Sequence, residues 1–196
     1  MMNKQDVLNE FKEAKALLEG HFLLSSGLHS EMYLQCARVL MNPVRASRLC
    51  RALADKISIT IERKIDIVIS PAMGGVIVGY EMARQLGVDA IFTERVDGEF
   101  ALRRGFEIPE GADVLMAEDI VTTGLSSREC IKTITEYGGN VVAASCLIDR
   151  SDGKVDIGVP LVSLMGLEIA SYNEENLPDH LKDREAIKPG SRELSK

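Results

Sequence analysis

The chain lacks the features that mark membrane, secreted and nucleic-acid-binding proteins. No apolar run is long enough to span a membrane, and residues 1–15 have no apolar signal region, so a cytoplasmic location is expected. The four cysteines contain no CxxC pair, which favours reduced, buried thiols over a metal or disulfide site. The net charge of -7 argues against a general nucleic-acid binder.

Common nucleotide-binding signatures are also missing. The sequence contains neither a GK[ST] loop nor a GxGxxG loop, and it has no internal repeat or low-complexity segment. With 196 residues, the chain fits one domain with a small appendage. An anionic substrate would need a local positive patch, and Arg95, Arg103 and Arg104 supply one within ten residues.

The order of apolar segments predicts an α/β fold. Residues 3–19 have helical spacing ended by Gly20, residues 22–40 are expected to be extended around a turn at 25–27, and Asn42-Pro43 opens a helix to about Ala54. Strands and helices then alternate, which predicts a parallel sheet with both faces covered. The expected strands are 65–69, 88–93, 101–106 after an Asp97-Gly98 turn, 114–117 and 141–148, and the expected helices are 75–86 and 124–137.

One segment carries the chemistry. An apolar strand, 114–117, delivers the adjacent carboxylates Glu118 and Asp119, and a loop of small residues around Gly124 then opens a helix. Ligands of open α/β sheets bind outside the carboxyl ends of the strands. The loop offers backbone N–H groups and hydroxyls at a helix N-terminus, which suit a phosphate. The carboxylates suit sugar hydroxyls or a divalent metal.

This motif resembles the phosphoribosyl pyrophosphate signature of type I phosphoribosyltransferases, and the remaining segments resemble the orotate phosphoribosyltransferase family. Residues 20–30 are similar to its N-terminal base-covering segment, and 70–75 to its pyrophosphate loop. Residues 93–95 and 102–106 are similar to a mobile loop of one branch, and 148–150 to the place where the family supplies an arginine.

The resemblance implies transfer of ribose 5-phosphate from phosphoribosyl pyrophosphate to orotate, in pyrimidine biosynthesis, with Mg²⁺ and in a homodimer that shares its active sites. It implies a single domain, with a hood at about 1–42, a core at about 43–170, a mobile hairpin and a tail at about 182–196. Catalytic roles fall to Glu118, Asp119 and Arg104. Mg²⁺ would have no fixed protein ligands and would be held mainly by the substrate, with Asp119 as the one candidate residue that could also contact it. Orotate would contact Ser25, Thr122 and Arg150. Phosphoribosyl pyrophosphate would contact Ala72, Met73, Gly74, Gly75, Arg95, Glu118, Asp119, Ile120, Val121, Thr122, Thr123, Gly124, Leu125 and Ser126.

The sequence departs from the family pattern in its basic residues. Ser25 stands where better-known members carry a lysine, residues 70–75 contain no lysine, and residues 96–104 contain no histidine. Two other functions stay open at this point: a purine phosphoribosyltransferase, which would share residues 118–127, and a non-catalytic regulator that senses the same ligand and binds RNA. Arg150 also has a simpler interpretation, as a solvated charge after a strand.

Overall fold

A computed structural model describes residues 2–24 and 27–188, which form two β-sheets with helices. The helices are α1 (Lys4–Glu13), α2 (Cys36–Leu40), α3 (Pro43–Thr60), α4 (Gly74–Leu86), α5 (Leu125–Glu136) and α6 (Asp179–Lys182), with a 3₁₀ turn at Glu174–Asn176. The strands are β1 (Leu17–Leu23), β2 (His29–Leu34), β3 (Ile67–Pro71), β4 (Asp89–Val96), β5 (Glu99–Leu102), β6 (Asp113–Val121), β7 (Asn140–Asp149), β8 (Leu161–Gly166) and β9 (Ser171–Tyr172).

The larger sheet has six strands in the order β5-β4-β3-β6-β7-β8. All neighbours pair in parallel except β5, which returns antiparallel beside β4. Successive residues of β3 and β6 face opposite sides of the sheet, so Val68 and Leu115 pack under α3 and α4 while Ile69 and Met116 pack under α5. The expected α/β class with helices on both faces is therefore confirmed.

The smaller sheet brings the two ends of the chain together. Strand β2 lies between β1 and the two-residue β9. A further bridge joins Phe22 to Ile187, with backbone hydrogen bonds from Ile187 N–H to His21 O and from Leu23 N–H to Ile187 O. Residues near both termini thus form a lid-like layer, the hood sheet, beside the carboxyl edge of the larger sheet.

Local signals explain where several helices begin and end. The side chain of Asn42 accepts hydrogen bonds from the N–H groups of Val44 and Arg45, and Pro43 follows at the first helical position. Helix α4 ends at Gly87, whose φ of 73° is left-handed. None of the helices within residues 2–24 and 27–188 is long and apolar enough to cross a membrane.

Several sequence-based boundaries are wrong. The first helix ends at Glu13 instead of continuing to 19, and Gly20 lies inside β1. The segment 22–40, expected to be extended, contains helix α2. Helix α3 runs six residues beyond Ala54, and the second hairpin strand is Glu99–Leu102 instead of 101–106. Strands β8 and β9 were not predicted.

Candidate active site at the strand ends

The strand order places a crevice between β3 and β6. The chain winds from β3 outward to β4 on one side and from β6 outward to β7 and β8 on the other, and such a reversal point is where open α/β sheets bind ligands. The loops that follow β3 and β6 meet there. A Cβ atom built on Gly74 would lie 2.9 Å from Oδ1 of Asp119, so glycine at 74 lets the two loops approach this closely.

The loop after β6 forms a cradle in front of helix α5. Gly124 has a φ of 72°, and the N–H of Arg128 bonds to its carbonyl oxygen, which begins the helix. The cradle encloses about 350 Å³ and is lined by residues 118–127. Its exposed residues are Thr122, Thr123 and Leu125. A helix N-terminus with free hydroxyl groups is suited to bind a phosphate.

The two acidic residues sit at the end of β6 with different partners. The hydroxyl of Ser127 donates to Oε2 of Glu118, and the N–H of Ile120 donates to Oδ1 of Asp119 at 3.0 Å. Burial raises the pKa of Glu118 to about 7, with the Ser127 hydrogen bond opposing and the nearby Asp119 charge reinforcing the rise. Burial also raises the pKa of Asp119. Burial therefore favours the protonated form of both carboxyl groups relative to free side chains in water.

A second cavity, of about 620 Å³, opens between the hood sheet and the cradle. We call it the base cavity. It is lined by Leu23, Leu24, Leu28, Tyr33, Thr122, Thr123, Leu125, Arg150, Ile169 and Ser171. Two predicted orotate contacts, Thr122 and Arg150, therefore line one cavity. The third, Ser25, lies outside the described residues.

Arg150 lines the base cavity directly after β7. Its backbone N–H donates to the carbonyl of Val121 at 2.8 Å, which ties it to the end of β6. Within the described part of the chain, its Nε is buried and makes no hydrogen bond. Burial lowers the pKa of the guanidinium. A buried polar group without a partner is rare and costly, so this one is suited to receive an anionic group.

The hairpin of β4 and β5 carries the arginines predicted for the pyrophosphate. Arg95 pairs with Glu129 on α5 and lies over the Phe100 ring at 4.2 Å, and Arg104 pairs with Glu94. The hairpin also packs against the core, because Phe100 is buried under α5. The structure thus places both arginines in ion pairs within the chain.

Several residues that line the base cavity were missed by the sequence analysis. Tyr33 lies on β2 with its ring 5.7 Å from that of Phe22, and burial raises its pKa, with smaller contributions from Cys36 and Asp119. Ile169 and Ser171 belong to the segment around β9. An alternating pattern at 29–34 could have drawn attention to Tyr33, whereas nothing in the sequence singles out Ile169.

The cysteines and the acidic pair complete the chemical inventory. All four cysteines are free and buried, as expected. Among residues 2–24 and 27–188, no cluster of three or more His, Cys, Asp or Glu side chains could hold a metal ion. Glu118 and Asp119 are two adjacent carboxylates at the crevice, and carboxylate oxygens are among the ligands that Mg²⁺ accepts.

Comparisons with known proteins match most of the chain to members of one family. A sequence profile of the phosphoribosyl transferase domain matches residues 42–164. The orotate phosphoribosyltransferase of Rhizorhabdus wittichii is 58% identical over 191 residues, covering 97% of this chain and 97% of the relative. That of Novosphingobium aromaticivorans is 58% identical, covering 97% and 98%. The crystal structure of orotate phosphoribosyltransferase from Aeropyrum pernix is similar with a TM-score of 0.70 at 26% identity, covering 83% and 94%.

Proposed function

The chain belongs to the phosphoribosyltransferase family and, within it, to the orotate phosphoribosyltransferases, and from this premise we propose how its residues divide the work. The enzyme transfers ribose 5-phosphate from phosphoribosyl pyrophosphate to orotate, and the products are orotidine 5'-phosphate and pyrophosphate, in pyrimidine biosynthesis. The observation that carries the assignment of the site is Arg150, whose buried, unpaired Nε lies at the cavity beside the cradle.

The reaction sets the demands on the site. Breaking the bond at the anomeric carbon builds positive charge on the ribose and negative charge on the departing pyrophosphate. The enzyme must also hold the base nitrogen in line with that bond. Glu118 and Asp119, at the crevice, accept hydrogen bonds from the ribose hydroxyls and stabilise the developing cation. Their position between the loops after β3 and β6 supports this role.

The cradle binds the 5'-phosphate. Residues 122–126 line it at the N-terminus of α5 and offer backbone N–H groups and hydroxyls, and the helix dipole there favours negative charge. The pyrophosphate then lies across the crevice, against the turn of residues 72–75 at the N-terminus of α4. Gly74 and Gly75 let this turn lie close to the sheet, because a Cβ on Gly74 would lie 2.9 Å from Oδ1 of Asp119 and one on Gly75 would lie 3.0 Å from the carbonyl oxygen of Ala117.

The base lies in the base cavity with its carboxylate on Arg150. A guanidinium binds a carboxylate through two parallel hydrogen bonds, and a buried one does so more strongly than an exposed one. A purine has no carboxylate to offer, so the same arginine would be left unpaired in a purine complex. This argument favours orotate over adenine or hypoxanthine.

Mg²⁺ accompanies phosphoribosyl pyrophosphate in this proposal. Such ions are held by one or two carboxylates together with substrate phosphates, and Asp119 is the carboxylate closest to the loop of residues 72–75. When bound, the ion neutralises charge on the leaving pyrophosphate. Arg95 and Arg104 add positive charge on the hairpin once they exchange their present carboxylate partners for the phosphates.

The working unit in this proposal is a homodimer. Met73, directly before α4, and Ile77 and Tyr80 on α4 have a spacing that puts them on one face, and these residues are 82%, 49% and 67% exposed. An exposed apolar stripe of this kind suits a twofold interface. Because Met73 belongs to the turn after β3, the second subunit would lie beside the pyrophosphate. Sedimentation of the wild type and of Tyr80→Asp tests this, with a shift to monomer expected for the variant.

The remaining proposals concern organisation and location. Hood and core act as one domain, with the base cavity between them, and the charged tail from about 182 follows. The location proposed is the cytoplasm, where buried free thiols such as these stay reduced. Fractionation of cells that express the protein tests the location.

Base preference tests the function directly. The purified enzyme is mixed with phosphoribosyl pyrophosphate, Mg²⁺ and one base at a time, and loss of the base is followed by absorbance. Orotate should be consumed, and adenine and hypoxanthine should not. Consumption of a purine at a similar rate would refute the assignment of Arg150, and RNA binding without any turnover would favour a regulator.

A further inference from the structure

Asp149 ends strand β7 immediately before Arg150, and its carboxylate holds the following turn together. Oδ1 accepts hydrogen bonds from the backbone N–H of Ser151 at 2.8 Å and from the Ser151 hydroxyl at 2.7 Å. Oδ2 accepts one from the N–H of Gly153 at 2.7 Å. The residue is only 2% exposed. Hydrogen bonds to a buried carboxylate are among the stronger ones in proteins.

The turn depends on these bonds because its backbone is unusual. Asp152 and Gly153 have φ angles of 51° and 85°, both in the left-handed region. The Ser151 hydroxyl also accepts a hydrogen bond from the N–H of Val155 at 3.0 Å, which extends the network by two residues. The carboxylate of Asp149 thus fixes the path of the chain from 149 to 155.

Arg150 lies at the start of this turn. The peptide group that joins it to Asp149 is hydrogen-bonded through both its N–H and its carbonyl oxygen. Its N–H bonds to Val121 O, and the carbonyl oxygen of Asp149 accepts from the N–H of Leu167 at 2.9 Å. The guanidinium Nε is buried without a hydrogen bond in the described part of the chain. The direction of this side chain is therefore set by the backbone around it and by packing.

We propose that Asp149 is a positioning residue for recognition of the orotate carboxylate. It orients Arg150 by fixing the turn that begins at this arginine. Its oxygens are occupied by the turn, so the N–H groups of Arg150 stay available for the base. This inference rests on the role of Arg150 proposed above.

A purely structural role for Asp149 makes a different prediction. The turn continues to Val155 and Ile157, whose methyl groups lie 2.8 and 2.6 Å from where a Cβ on Gly124 would be. A general loosening of the turn would disturb this packing under the cradle, and binding of phosphoribosyl pyrophosphate would then weaken as much as binding of orotate. A positioning role affects orotate selectively.

The variant Asp149→Asn in the full-length enzyme distinguishes a positioning role of Asp149 from a purely structural one. Asparagine keeps the size, but its NH₂ group faces an N–H donor, so at least one hydrogen bond is lost. The KM for orotate should rise about tenfold to a hundredfold, whereas the KM for phosphoribosyl pyrophosphate should change by less than about threefold. Inhibition by uracil, a pyrimidine without the carboxylate, should hardly change.

Two variants serve as controls. Asp152→Asn removes the same charge from the same turn, at an exposed position where asparagine tolerates the left-handed φ, and its kinetics should match the wild type. Arg150→Ala reports on the proposed function itself. Should Asp149→Asn fail to fold, Ser151→Ala removes the hydroxyl that donates to Asp149 and accepts from the N–H of Val155, and its orotate KM should rise about threefold.

The outcomes are distinguishable. Equal rises in both KM values for Asp149→Asn would overturn the inference in favour of a structural brace. A normal orotate KM in that variant, with Arg150→Ala impaired for orotate, would overturn the inference and leave the proposed function intact. If Arg150→Ala itself shows no selective loss of orotate, the role of Arg150 fails and the inference fails with it.

Discussion

The buried carboxyl of Glu118 should make the stability of the ligand-free enzyme fall as pH rises towards 7. The pKa of this group is raised from 4.5 to about 7 in the folded protein. Between these values the folded state binds a proton that the unfolded state has released, so the free energy of unfolding decreases with pH and levels off above 7. Because each pKa unit corresponds to 1.36 kcal/mol, the rise in the pKa of Glu118 lowers the free energy of unfolding by at most about 3 kcal/mol over this pH range.

Glu118→Gln removes this dependence, because the amide is neutral at every pH and still accepts a hydrogen bond from Ser127. Relative to the wild type, the variant should gain up to about 3 kcal/mol between pH 5 and pH 8, or roughly 6–12 °C in Tm. Turnover should fall at the same time, because the amide has no negative charge to stabilise the developing ribose cation. The stability gain and the loss of activity would together mark a group buried for function.

Urea unfolding at half-unit steps between pH 5 and 8 measures the difference between the two proteins. Glu110→Gln changes an exposed carboxyl in the turn before β6 and serves as the control, with a curve parallel to the wild type. A difference between wild type and Glu118→Gln that stays constant across this range would refute the reasoning about burial. A difference in the free energy of unfolding that shrinks as pH rises would refute the predicted direction of the pH dependence.

Further predictions concern the other parts of the site. Arg150→Ala should raise the KM for orotate by about a hundredfold and that for phosphoribosyl pyrophosphate far less, in steady-state kinetics; equal effects would mean that Arg150 is misplaced. Gly124→Ala should destabilise the protein by about 1–3 kcal/mol more than Gly153→Ala in urea, because only at 124 would the new Cβ meet neighbours within 3 Å. Removing divalent cations with EDTA should abolish turnover and Mg²⁺ should restore it, whereas full activity in EDTA would exclude the metal. Mixing Arg104→Ala with Asp119→Asn chains should restore roughly a quarter of wild-type activity if sites are shared across a dimer; no recovery after proven subunit exchange would mean that Arg104 acts on its own chain.

The central strands and the motif between β6 and α5 could be predicted because their signals are local. Strand β6 contains an apolar run followed by two acidic residues near its carboxyl end, and Gly124 with its small neighbours is a clear start for α5. The carboxyl ends of neighbouring parallel strands lie at the same edge of the sheet. The acidic pair of β6 is therefore expected to lie close to the loop after β3. The class of fold and the approach of Gly74 to Asp119 follow from this pattern.

The N-terminal region was less predictable because long-range pairing decides its structure. Leu17 and Leu18 continue the helical spacing of α1, which explains the expected helix to 19. Lys15 instead adopts a φ of 50°, and Leu17 pairs with Leu34 in the hood sheet. Propensity is a weak guide where a strand partner is available.

The C-terminal strands differ in how far they could be recognised. Strand β8 contains an apolar run, Leu161 to Met165, that pairs with β7 and could have been identified as a buried strand. Strand β9 has two residues and exists only because β2 is beside it. Neither the unpaired Nε of Arg150 nor the ion pair of Arg104 with Glu94 leaves a signal in the sequence, since both depend on the surrounding side chains.

Turnover of Asp119→Asn with orotate, phosphoribosyl pyrophosphate and Mg²⁺ tests the central claim, that the carboxylates at the end of β6 stabilise the ribose cation. The substitution keeps the shape and removes the charge, so kcat should fall by about a hundredfold or more in a folded protein. Asp113→Asn, at the opposite end of the same strand, should keep wild-type kcat. A kcat for Asp119→Asn close to that of the wild type would contradict the account.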